Sequence, residues 1–484
     1  MTTRKSRVLI IGAGAAGIAA ATRLLAGGIE NVLMLEAEDR IGGRIHSVGF
    51  DGSLVDLGAE WCHGEKGNIV FDMVKHLNLL EKSFHDYTND TFCISDGTTI
   101  ENSMKDLIEL ADDIFYNGTA SGDVDDTLGD YFNHEYKKHV GDMFPENRDR
   151  SNMIEMLLDW FHKSYLDLVP AKTWFEVSMM GHSRYKKCEG YLYWQWKKKG
   201  YLTILHVLMK KNPDAAQQLP IDDKILLNKE VNRIEWDRDD GVIVGCSDGS
   251  WYQTDHVIVT VYLGVLKSLG HLFTPKLPLF KQDAINLIGM GTVAKILLKF
   301  PVKWWPDDVA GFSFLWTKTD RNSLLKEFPY GPSDHGKSWL EDIYGFYVVD
   351  SHPTVLLGWN VGKMVEQVEH LADHILMEGC IFLLKKFLGH RYNVTYPNGL
   401  LRSKWKTNPH FNGSYTYQSL EAERRNVSRE DLGRPVCDSD GKPVLLFAGE
   451  ATHSKFYATV HGAIETGFNE ADRILEIYKN KTLL

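Results

Sequence analysis

The sequence has 484 residues, of which 43% are hydrophobic and 25% are charged, and its formal net charge is −11 at pH 7. This length exceeds what a single hydrophobic core usually supports, so we expect two domains. The negative charge disfavours nucleic acid as a partner, and no apolar run reaches the roughly 18 residues that a membrane span requires.

Cysteine usage and the chain ending give further expectations. The six cysteines are scattered without a CxxC pair, which disfavours a zinc site and a disulfide framework. We therefore expect reduced cysteines and no bound metal. Residues 480–484 differ from a peroxisomal SKL-type ending, and we expect a cytoplasmic protein.

A glycine-rich turn lies between a strand pattern and a helix pattern near the N-terminus. The apolar run at 8–11 precedes Gly12, Gly14 and Gly17, a spacing that suits a tight turn, close approach to a pyrophosphate and close helix packing. A helical pattern at 18–25 follows, and its N-terminal end would face the phosphates. A second strand leads to Glu36, about 20 residues after Gly17, the distance expected for an acid that binds an unphosphorylated ribose. These features predict an adenine dinucleotide site.

The same region permits a second interpretation. Arg4, Lys5 and Arg7 precede an uncharged run that extends to Thr22, which imitates the basic and apolar regions of a secretory signal peptide. A leader requires neither the glycine spacing nor the strand that follows. We therefore interpret the N-terminus as mature and folded.

Later segments extend the dinucleotide-binding domain. Short strand patterns at 229–234, 241–245 and 256–261 are separated by turn residues, which is typical of a small sheet. Near the C-terminus, the apolar run at 444–447 leads to Glu450, and a helical pattern with one apolar face follows. Glu450 thus occupies the position where ligands lie at the carboxyl edge of a parallel sheet.

These patterns predict an α/β fold with a Rossmann-like domain and an interleaved α+β domain. The Rossmann-like domain is discontinuous, at 5–80, 200–285 and 396–478. The second domain, at 81–199 and 286–395, is richer in aromatic residues and helical patterns. We expect it to cover the cofactor and bind the substrate.

Three groups of motifs resemble those of the flavin-dependent amine oxidases, most closely the polyamine oxidase and spermine oxidase branch. They are Leu57-Gly-Ala-Glu-Trp-Cys-His-Gly64, Thr292-Val-Ala-Lys-Ile-Leu-Leu-Lys-Phe300, and Phe447-Ala-Gly-Glu-Ala-Thr452 with Thr459-Val-His-Gly462. The resemblance covers nearly the whole chain and implies FAD as the cofactor. It also implies non-covalent binding, because the family's covalent members use a cysteine near the C-terminal motif and residues 447–484 contain none.

The resemblance implies roles for several cofactor-binding residues. Glu36 would hold the adenosine ribose, Arg44 would meet the pyrophosphate, and Val231 would contact the adenine through its backbone. Glu450 would accept a hydrogen bond from the ribityl or phosphate end, and the backbone at Val460 would direct its N–H groups toward the flavin pyrimidine ring. The implied FAD-binding positions are Gly12, Gly14, Ala15, Ala16, Gly17, Glu36, Arg44, Gly58, Ala59, Glu60, Trp61, Val231, Trp405, Glu450, Thr459 and Val460.

The resemblance also implies four catalytic residues. The family lysine that matches Lys295 reaches the flavin N5 through a water; the alternative is an edge-strand lysine that faces solvent. His63 would line the substrate tunnel, although a buried histidine satisfied by backbone is the alternative. Tyr415 would form an aromatic wall with Trp405. Thr459 matches the position at which many relatives carry a second aromatic residue. In relatives that have this threonine a serine usually precedes it, whereas this chain has Ala458.

One segment departs from the family pattern. Polyamine-oxidising relatives place an acid near residues 182–187, whereas this chain has the basic run His182-Ser-Arg-Tyr-Lys-Lys187. If these cations were buried, they would repel a polyamine. The alternative is a solvated face.

The sequence therefore predicts an FAD-dependent oxidase that transfers a hydride from the carbon beside an amine nitrogen to the flavin N5. The products would be an aldehyde, a shorter amine and hydrogen peroxide, and the substrates would be spermine, spermidine or N-acetylated forms. The alternatives are an oxidase of a different amine, a flavin-holding interaction protein without turnover, and a nicotinamide-dependent dehydrogenase. We expect an amine and oxygen as partners, neither nucleic acid nor membrane, and a monomer or weak dimer.

Overall fold

The computed structural model describes residues 4–50, 52–83, 90–98, 105–120, 122–143 and 151–482. Parts of the predicted second domain, at 84–89, 99–104, 121 and 144–150, lie outside the described residues, as does residue 51 of the predicted first domain.

The strands of the described residues belong to one large sheet, one medium sheet and four two-stranded pairs. In chain order they are β1 Arg4–Ile11, β2 Val32–Leu35, β3 Ser47–Phe50, β4 Ser53–Asp56, β5 Glu81–Lys82, β6 Thr91–Ile94, β7 Trp194–Gln195, β8 Ile225–Leu226, β9 Val231–Glu235, β10 Val242–Cys246, β11 Trp251–Val259, β12 Phe273–Thr274, β13 Gly289–Met290, β14 Ala294–Lys299, β15 Gly311–Leu315, β16 Ser333–Asp334, β17 Lys337–Ser338, β18 Ile343–Val349, β19 His352–Asn360, β20 Gly399–Arg402, β21 Thr416–Tyr417, β22 Val436–Cys437 and β23 Pro443–Phe447.

The α-helices of the described residues cover the sheets and build much of the second domain. In chain order they are α1 Ala15–Ala26, α2 Ile69–Val74, α3 Lys105–Asn117, α4 Leu128–Met143, α5 Ser151–Tyr165, α6 Met179–His182, α7 Thr203–Leu208, α8 Leu263–Ser268, α9 Leu279–Leu287, α10 Lys318–Glu327, α11 Val365–His370, α12 Asp373–Leu388, α13 Leu420–Arg424, α14 Arg429–Gly433 and α15 Val460–Thr482. None of these described helices has both the length and the apolar character needed to cross a bilayer.

The large sheet has nine strands among the described residues. Its order is β12-β9-β10-β11-β1-β2-β8, and β23 and β22 continue from β11. Strand β1 pairs in parallel with β2 and β11, and β11 pairs in parallel with β23. The carboxyl ends of these four strands meet at one edge, where ligands of such sheets bind. The predicted Rossmann-like arrangement is confirmed.

Helix α1 begins directly after the glycine turn and packs against α15. Gly14 is the N-terminal cap residue of α1, and Ile18 is buried in its packed face. A Cβ on Gly467 of α15 would lie 2.2 Å from the carbonyl oxygen of Ala16. The two helices therefore approach each other more closely than a side chain at residue 467 would permit.

The second sheet has six strands, in the order β20-β14-β19-β18-β15-β6. Strand β14 lies between β20 and β19 and is antiparallel to both. Lys295 is thus in an interior strand, so the alternative of an edge-strand lysine facing solvent is wrong. The predicted range 396–478 contributes to both sheets, because β20 belongs to the six-stranded sheet and β23 to the nine-stranded one.

Candidate active site

One cavity of about 500 Å³ connects the two sheets. At one end it is lined by Gly12 and Glu36, which follow strands of the nine-stranded sheet, and at the other by Lys295 and Trp359 of the six-stranded sheet. This volume lies within the range of roughly 300–1,000 Å³ that is usual for cofactor and ligand sites. Part of this cavity is lined by residues from the ranges 58–63, 115–193 and 293–359. We call this part the distal chamber.

The glycine turn closes one end of the cavity. Gly12 has a φ of +106°, and a Cβ there would lie 2.5 Å from the Thr260 hydroxyl oxygen. A Cβ on Gly17 would lie 2.0 Å from the carbonyl oxygen of Gly12. Neither position tolerates a side chain, so the backbone remains open to a pyrophosphate beside the first turn of α1. The turn therefore fits a dinucleotide.

Glu36 is a buried carboxylate beside this turn. It accepts hydrogen bonds from the backbone N–H groups of Ala13 at 2.7 Å and Glu38 at 2.9 Å. Burial raises the pKa of Glu36, and the two backbone hydrogen bonds oppose that rise. Each carboxylate oxygen keeps a second lone pair, so Glu36 can also accept from ribose hydroxyl groups.

Arg44 and Glu450 form an ion pair in the middle of the cavity. The Arg44 guanidinium donates to Glu450 at 3.0 Å and to the Ser414 carbonyl at 2.5 Å, and it stacks over the Tyr262 ring at 4.3 Å. These contacts fix its plane, and a fixed guanidinium suits recognition of a phosphate.

Glu450 is itself held by several donors. Thr416 donates its hydroxyl at 2.7 Å, and the backbone N–H of Ala458 donates at 2.8 Å. Although burial would raise its pKa, the charges of Arg44 and Arg429 hold the pKa of Glu450 below its usual value. Glu450 is therefore ionised and positions Arg44.

Thr459 precedes the first turn of α15. Its hydroxyl donates to the Phe456 carbonyl at 2.6 Å and accepts from the Gly462 N–H at 3.0 Å, so it caps the helix. Ala458 has a φ of +62°, a left-handed conformation that its hydrogen bond to Glu450 supports. The N–H group of Val460 lies in the first turn, where helix amides have no intrahelical acceptor.

Lys295 is a buried cation in the distal chamber. Its side chain is 3% exposed, and its ammonium donates to the Asp56 carbonyl at 2.9 Å and to the Glu60 carboxylate. The rings of Trp359 and Trp61 lie 5.1 and 5.6 Å from the ammonium nitrogen. The lysine thus has a charge partner and two aromatic neighbours within the cavity.

Asp56 lies behind this pair. Its carboxylate accepts from the Ser47 hydroxyl and from the backbone N–H of Tyr201. Burial raises the pKa of Asp56 to about 7, although Ser47 and Lys295 oppose the rise. The region around Lys295 therefore contains two acids, Asp56 and Glu60.

His63 lies in the distal chamber among aromatic rings. Its ring lies 5.8 Å from that of Tyr193 and 6.3 Å from that of Trp61. Burial lowers the pKa of His63 to about 4; a backbone hydrogen bond with Leu192 opposes that change, and the charge of Lys187 adds to it. His63 is therefore a neutral imidazole at neutral pH.

Trp405 and Tyr415 form part of the aromatic wall. The Trp405 indole N–H donates to the Leu57 carbonyl at 3.3 Å, and Trp405 packs edge-on against Phe411. The Tyr415 hydroxyl donates to the Asp167 carbonyl. Both rings are fixed by these bonds and line the cavity.

The structure brings the sequence-predicted residues together. Gly17 packs against the glycine turn, as its contact with Gly12 requires. Of the implied binding and catalytic residues, those that line the cavity are Gly12, Gly14, Ala15, Ala16, Glu36, Arg44, Gly58, Ala59, Glu60, Trp61, His63, Val231, Lys295, Trp405, Tyr415, Glu450, Thr459 and Val460.

Sequence reasoning missed several residues of the site. Trp359 faces Lys295 because the two are register partners on β19 and β14. Buried Arg429 reaches Thr416 at 2.7 Å, beside Glu450. The first contact requires the pairing of β14 with β19, and the second requires α14 to pack beside β21, so neither follows from the periodicity of a single element.

The basic run at 182–187 is divided between surface and cavity. Arg184 forms an ion pair with Glu423 at 2.5 Å, whereas Lys187 lines the distal chamber. His182 is buried, and its ring nitrogen bonds with the Phe115 carbonyl at 2.8 Å. Neither predicted alternative, a wholly buried run or a wholly solvated face, describes this segment.

The family model for flavin containing amine oxidoreductases matches residues 15–475. This chain belongs to that family. It is therefore an FAD-dependent amine oxidase, and the predictions of the family, the two-domain fold and an FAD cofactor are confirmed. Binding of FAD without a covalent link, as we predicted, is typical of the family. The alternative of a nicotinamide-dependent dehydrogenase is wrong.

This amine oxidase is similar to curated proteins along nearly its full length. It is 29% identical over 519 residues to the human protein named peroxisomal N(1)-acetyl-spermine/spermidine oxidase, covering 98% of this chain and 95% of that protein. It is 30% identical to the Drosophila melanogaster protein anon-37Cs, covering 98% and 92%. A solved structure of a redesigned putrescine oxidase superposes with a TM-score of 0.64 at 16% identity, covering 98% of this chain and 100% of that one, which shows the shared fold.

Proposed function

We propose that this amine oxidase acts on polyamines, namely spermine, spermidine or their N-acetylated forms. The observation that carries the proposal is that the dinucleotide end and the distal chamber form one continuous cavity with aromatic walls. Such walls suit a slim aliphatic chain and exclude water from it. Two relatives support this substrate class: the human protein named peroxisomal N(1)-acetyl-spermine/spermidine oxidase and the maize protein named polyamine oxidase 1.

In the proposed reaction, the C–H bond beside the amine nitrogen breaks and an imine forms, which water hydrolyses to an aldehyde and a shorter amine. FAD, when bound, accepts the hydride and delivers two electrons to oxygen, which gives hydrogen peroxide. The amine must be neutral before the hydride leaves, so the chamber has to take one proton from the substrate ammonium.

The proposed roles of the chain's residues follow from their contacts. Lys295 and Glu60 form an ion pair beside the chamber, in which the Glu60 carboxylate accepts the proton that the substrate ammonium loses and the Lys295 ammonium is the proton donor. His63 is a neutral tunnel residue that adds no repelling charge to the site. Tyr415 confines the substrate chain, and Thr459 acts through the backbone of α15, which its hydroxyl caps.

The proposed cofactor contacts divide among three regions. Glu36 and the backbone of Val231 hold the adenosine end, and Arg44, fixed by Glu450, holds the pyrophosphate. Val460 lines the cavity beside Thr459, and its first-turn N–H group would be directed toward the flavin pyrimidine ring.

Anaerobic mixing of the FAD-loaded protein with spermine, N-acetylspermine and a monoamine panel tests this function. Polyamines are expected to bleach the flavin absorbance, and aerobic mixing is expected to release peroxide. Bleaching by monoamines alone would identify an oxidase of a different amine. An unchanged spectrum with every amine would favour the alternative of a flavin-holding protein without turnover.

A cytoplasmic location and a monomeric or weakly dimeric state stay predictions. The human relative has the word peroxisomal in its name, so imaging of the tagged protein against cytosolic and peroxisomal markers separates the two locations.

A further inference from the structure

Lys187 is an exposed lysine that lines the distal chamber. Its ammonium nitrogen lies 4.0 Å from the centroid of the Tyr116 ring, and both residues line the cavity. Its neighbours differ: Arg184 pairs with Glu423, and Lys186, whose backbone N–H donates to the Lys455 carbonyl, is not a cavity residue. Of the cations at 184–187, Lys187 is thus the one that reaches the chamber.

The surroundings of Lys187 resemble a binding site for an ammonium group. The face of an aromatic ring attracts a cation, and Tyr116 supplies that face. The Asp112 carboxylate on α3, which accepts from Tyr165 at 2.8 Å, interacts with the same ammonium. Burial lowers the pKa of Lys187, and Asp112 opposes that change. The chain's own ammonium therefore occupies this position.

The carboxylates that line the distal chamber already have donors within the chain. The charged residues of the described lining are Glu60, Asp167, Lys187 and Lys295. Glu60 pairs with Lys295, and Asp167 accepts from the Tyr344 hydroxyl at 2.7 Å. Both carboxylates of the described lining thus already accept from groups of the chain itself, and Lys187 adds a positive charge on the side of Tyr116.

We propose that Lys187 determines substrate specificity by excluding a second ammonium from the Tyr116 face, so that the favoured substrates are amines whose end remote from the reacting carbon is uncharged. An acylated polyamine meets this description, and a polyamine with free ammonium groups at both ends does not. A like charge placed beside Lys187 would be disfavoured unless one of the two ions moved into solvent. This inference rests on the proposed function.

The test compares kcat/KM for spermine and N-acetylspermine in the FAD-loaded enzyme. Lys187→Gln is expected to raise kcat/KM for spermine by about tenfold, which corresponds to about 1.4 kcal/mol, and to leave the value for N-acetylspermine within about threefold. Lys186→Gln removes the same charge one residue away, outside the cavity lining, and Lys187→Arg keeps the charge. Both controls are expected to leave the ratio of kcat/KM for spermine to kcat/KM for N-acetylspermine within about twofold of the wild-type ratio.

An unchanged ratio in Lys187→Gln would overturn the inference, and so would an equal change in Lys186→Gln, since that change would reflect net charge alone. Absence of flavin bleaching with every amine would instead refute the proposed function. In that case the dissociation constants of spermine and N-acetylspermine for the holoprotein are measured instead. Binding is detected by the change that each amine causes in the flavin absorbance spectrum. Equal effects of Lys187→Gln on both dissociation constants would then reject the role of Lys187.

Discussion

Lys295 shows how a single residue links the fold to the chemistry. A lysine in an apolar strand is costly to bury without a partner. Here the Glu60 carboxylate and the Asp56 carbonyl accept from its ammonium, and the Trp359 ring lies beside it. The charge is therefore stabilised at a place where it faces the cavity.

Replacement of this lysine tests its proposed role. Lys295→Met keeps the apolar stem but removes the ammonium, so Glu60 loses its charge partner. We expect the flavin absorbance of the purified protein to be retained and turnover to slow by about tenfold or more. Anaerobic stopped-flow measurement of flavin reduction by the best amine gives the rate.

Lys299→Met is the matched control for this variant. Lys299 is on the same strand, four residues further along, and is not part of the cavity lining. We expect its variant to turn over at the wild-type rate. A wild-type rate in Lys295→Met would remove the proposed role, whereas loss of flavin from that variant would indicate a role in cofactor retention.

At the scale of elements, α14 is held at both ends near the cofactor site. At its start, Arg429 donates to Thr416 and to the Ala451 carbonyl at 3.1 Å. At its end, Lys281 of α9 donates to the carbonyls of Asp431, Leu432 and Arg434 at 2.5–2.8 Å. Burial lowers the pKa of Lys281 to about 7, and the charge of Glu470 opposes this change. The protonated amine has three N–H groups, one for each of the three carbonyls.

Lys281 is therefore expected to matter for stability. Lys281→Met leaves three carbonyl groups without this donor, and we expect a loss of about 3 kcal/mol or more of unfolding free energy. Thermal unfolding of the holoprotein, followed by flavin fluorescence, measures the change as a lower Tm. The exposed neighbour Lys276, changed to Met, should unfold at the wild-type temperature, and an unchanged Tm for Lys281→Met would contradict the assignment.

At the scale of the whole molecule, the cavity lies between two sheets whose strands come from distant parts of the chain. The nine-stranded sheet supplies Gly12 and Glu36, and the six-stranded sheet supplies Lys295 and Trp359. A bound dinucleotide would contact residues from both sheets. Occupancy of the cavity is therefore coupled to the stability of the whole fold.

Removal of FAD tests this coupling. The apoprotein is expected to unfold at a lower temperature, because a ligand at about 1,000 times its dissociation constant adds about 4 kcal/mol. Added FAD should restore the Tm, and FMN should restore less of it, since it leaves the region of Glu36 and Val231 unfilled. Equal Tm values for the apoprotein and holoprotein would contradict a cofactor that bridges the sheets.

Local pattern was enough to predict the elements that begin the cofactor site. Gly12, Gly14 and Gly17 lie within one turn and its helix, so their spacing alone predicted the close approach that the structure contains. Strand and helix periodicity likewise predicted β1 and α1, since these elements depend on neighbours in sequence. The motif around Lys295 identified a family lysine, although the pattern could not name its partner.

What the sequence by itself determined is the family, the dinucleotide turn and the residue types available for chemistry. Only the tertiary structure decided which of them meet. Lys295 and Glu60 are 235 residues apart, and Arg44 and Glu450 are 406 apart. Contacts at such separations depend on how the sheets pair and pack, and periodicity within a short segment contains no information about them. For the same reason, only the fold separated Lys187 in the chamber from Arg184 at the surface.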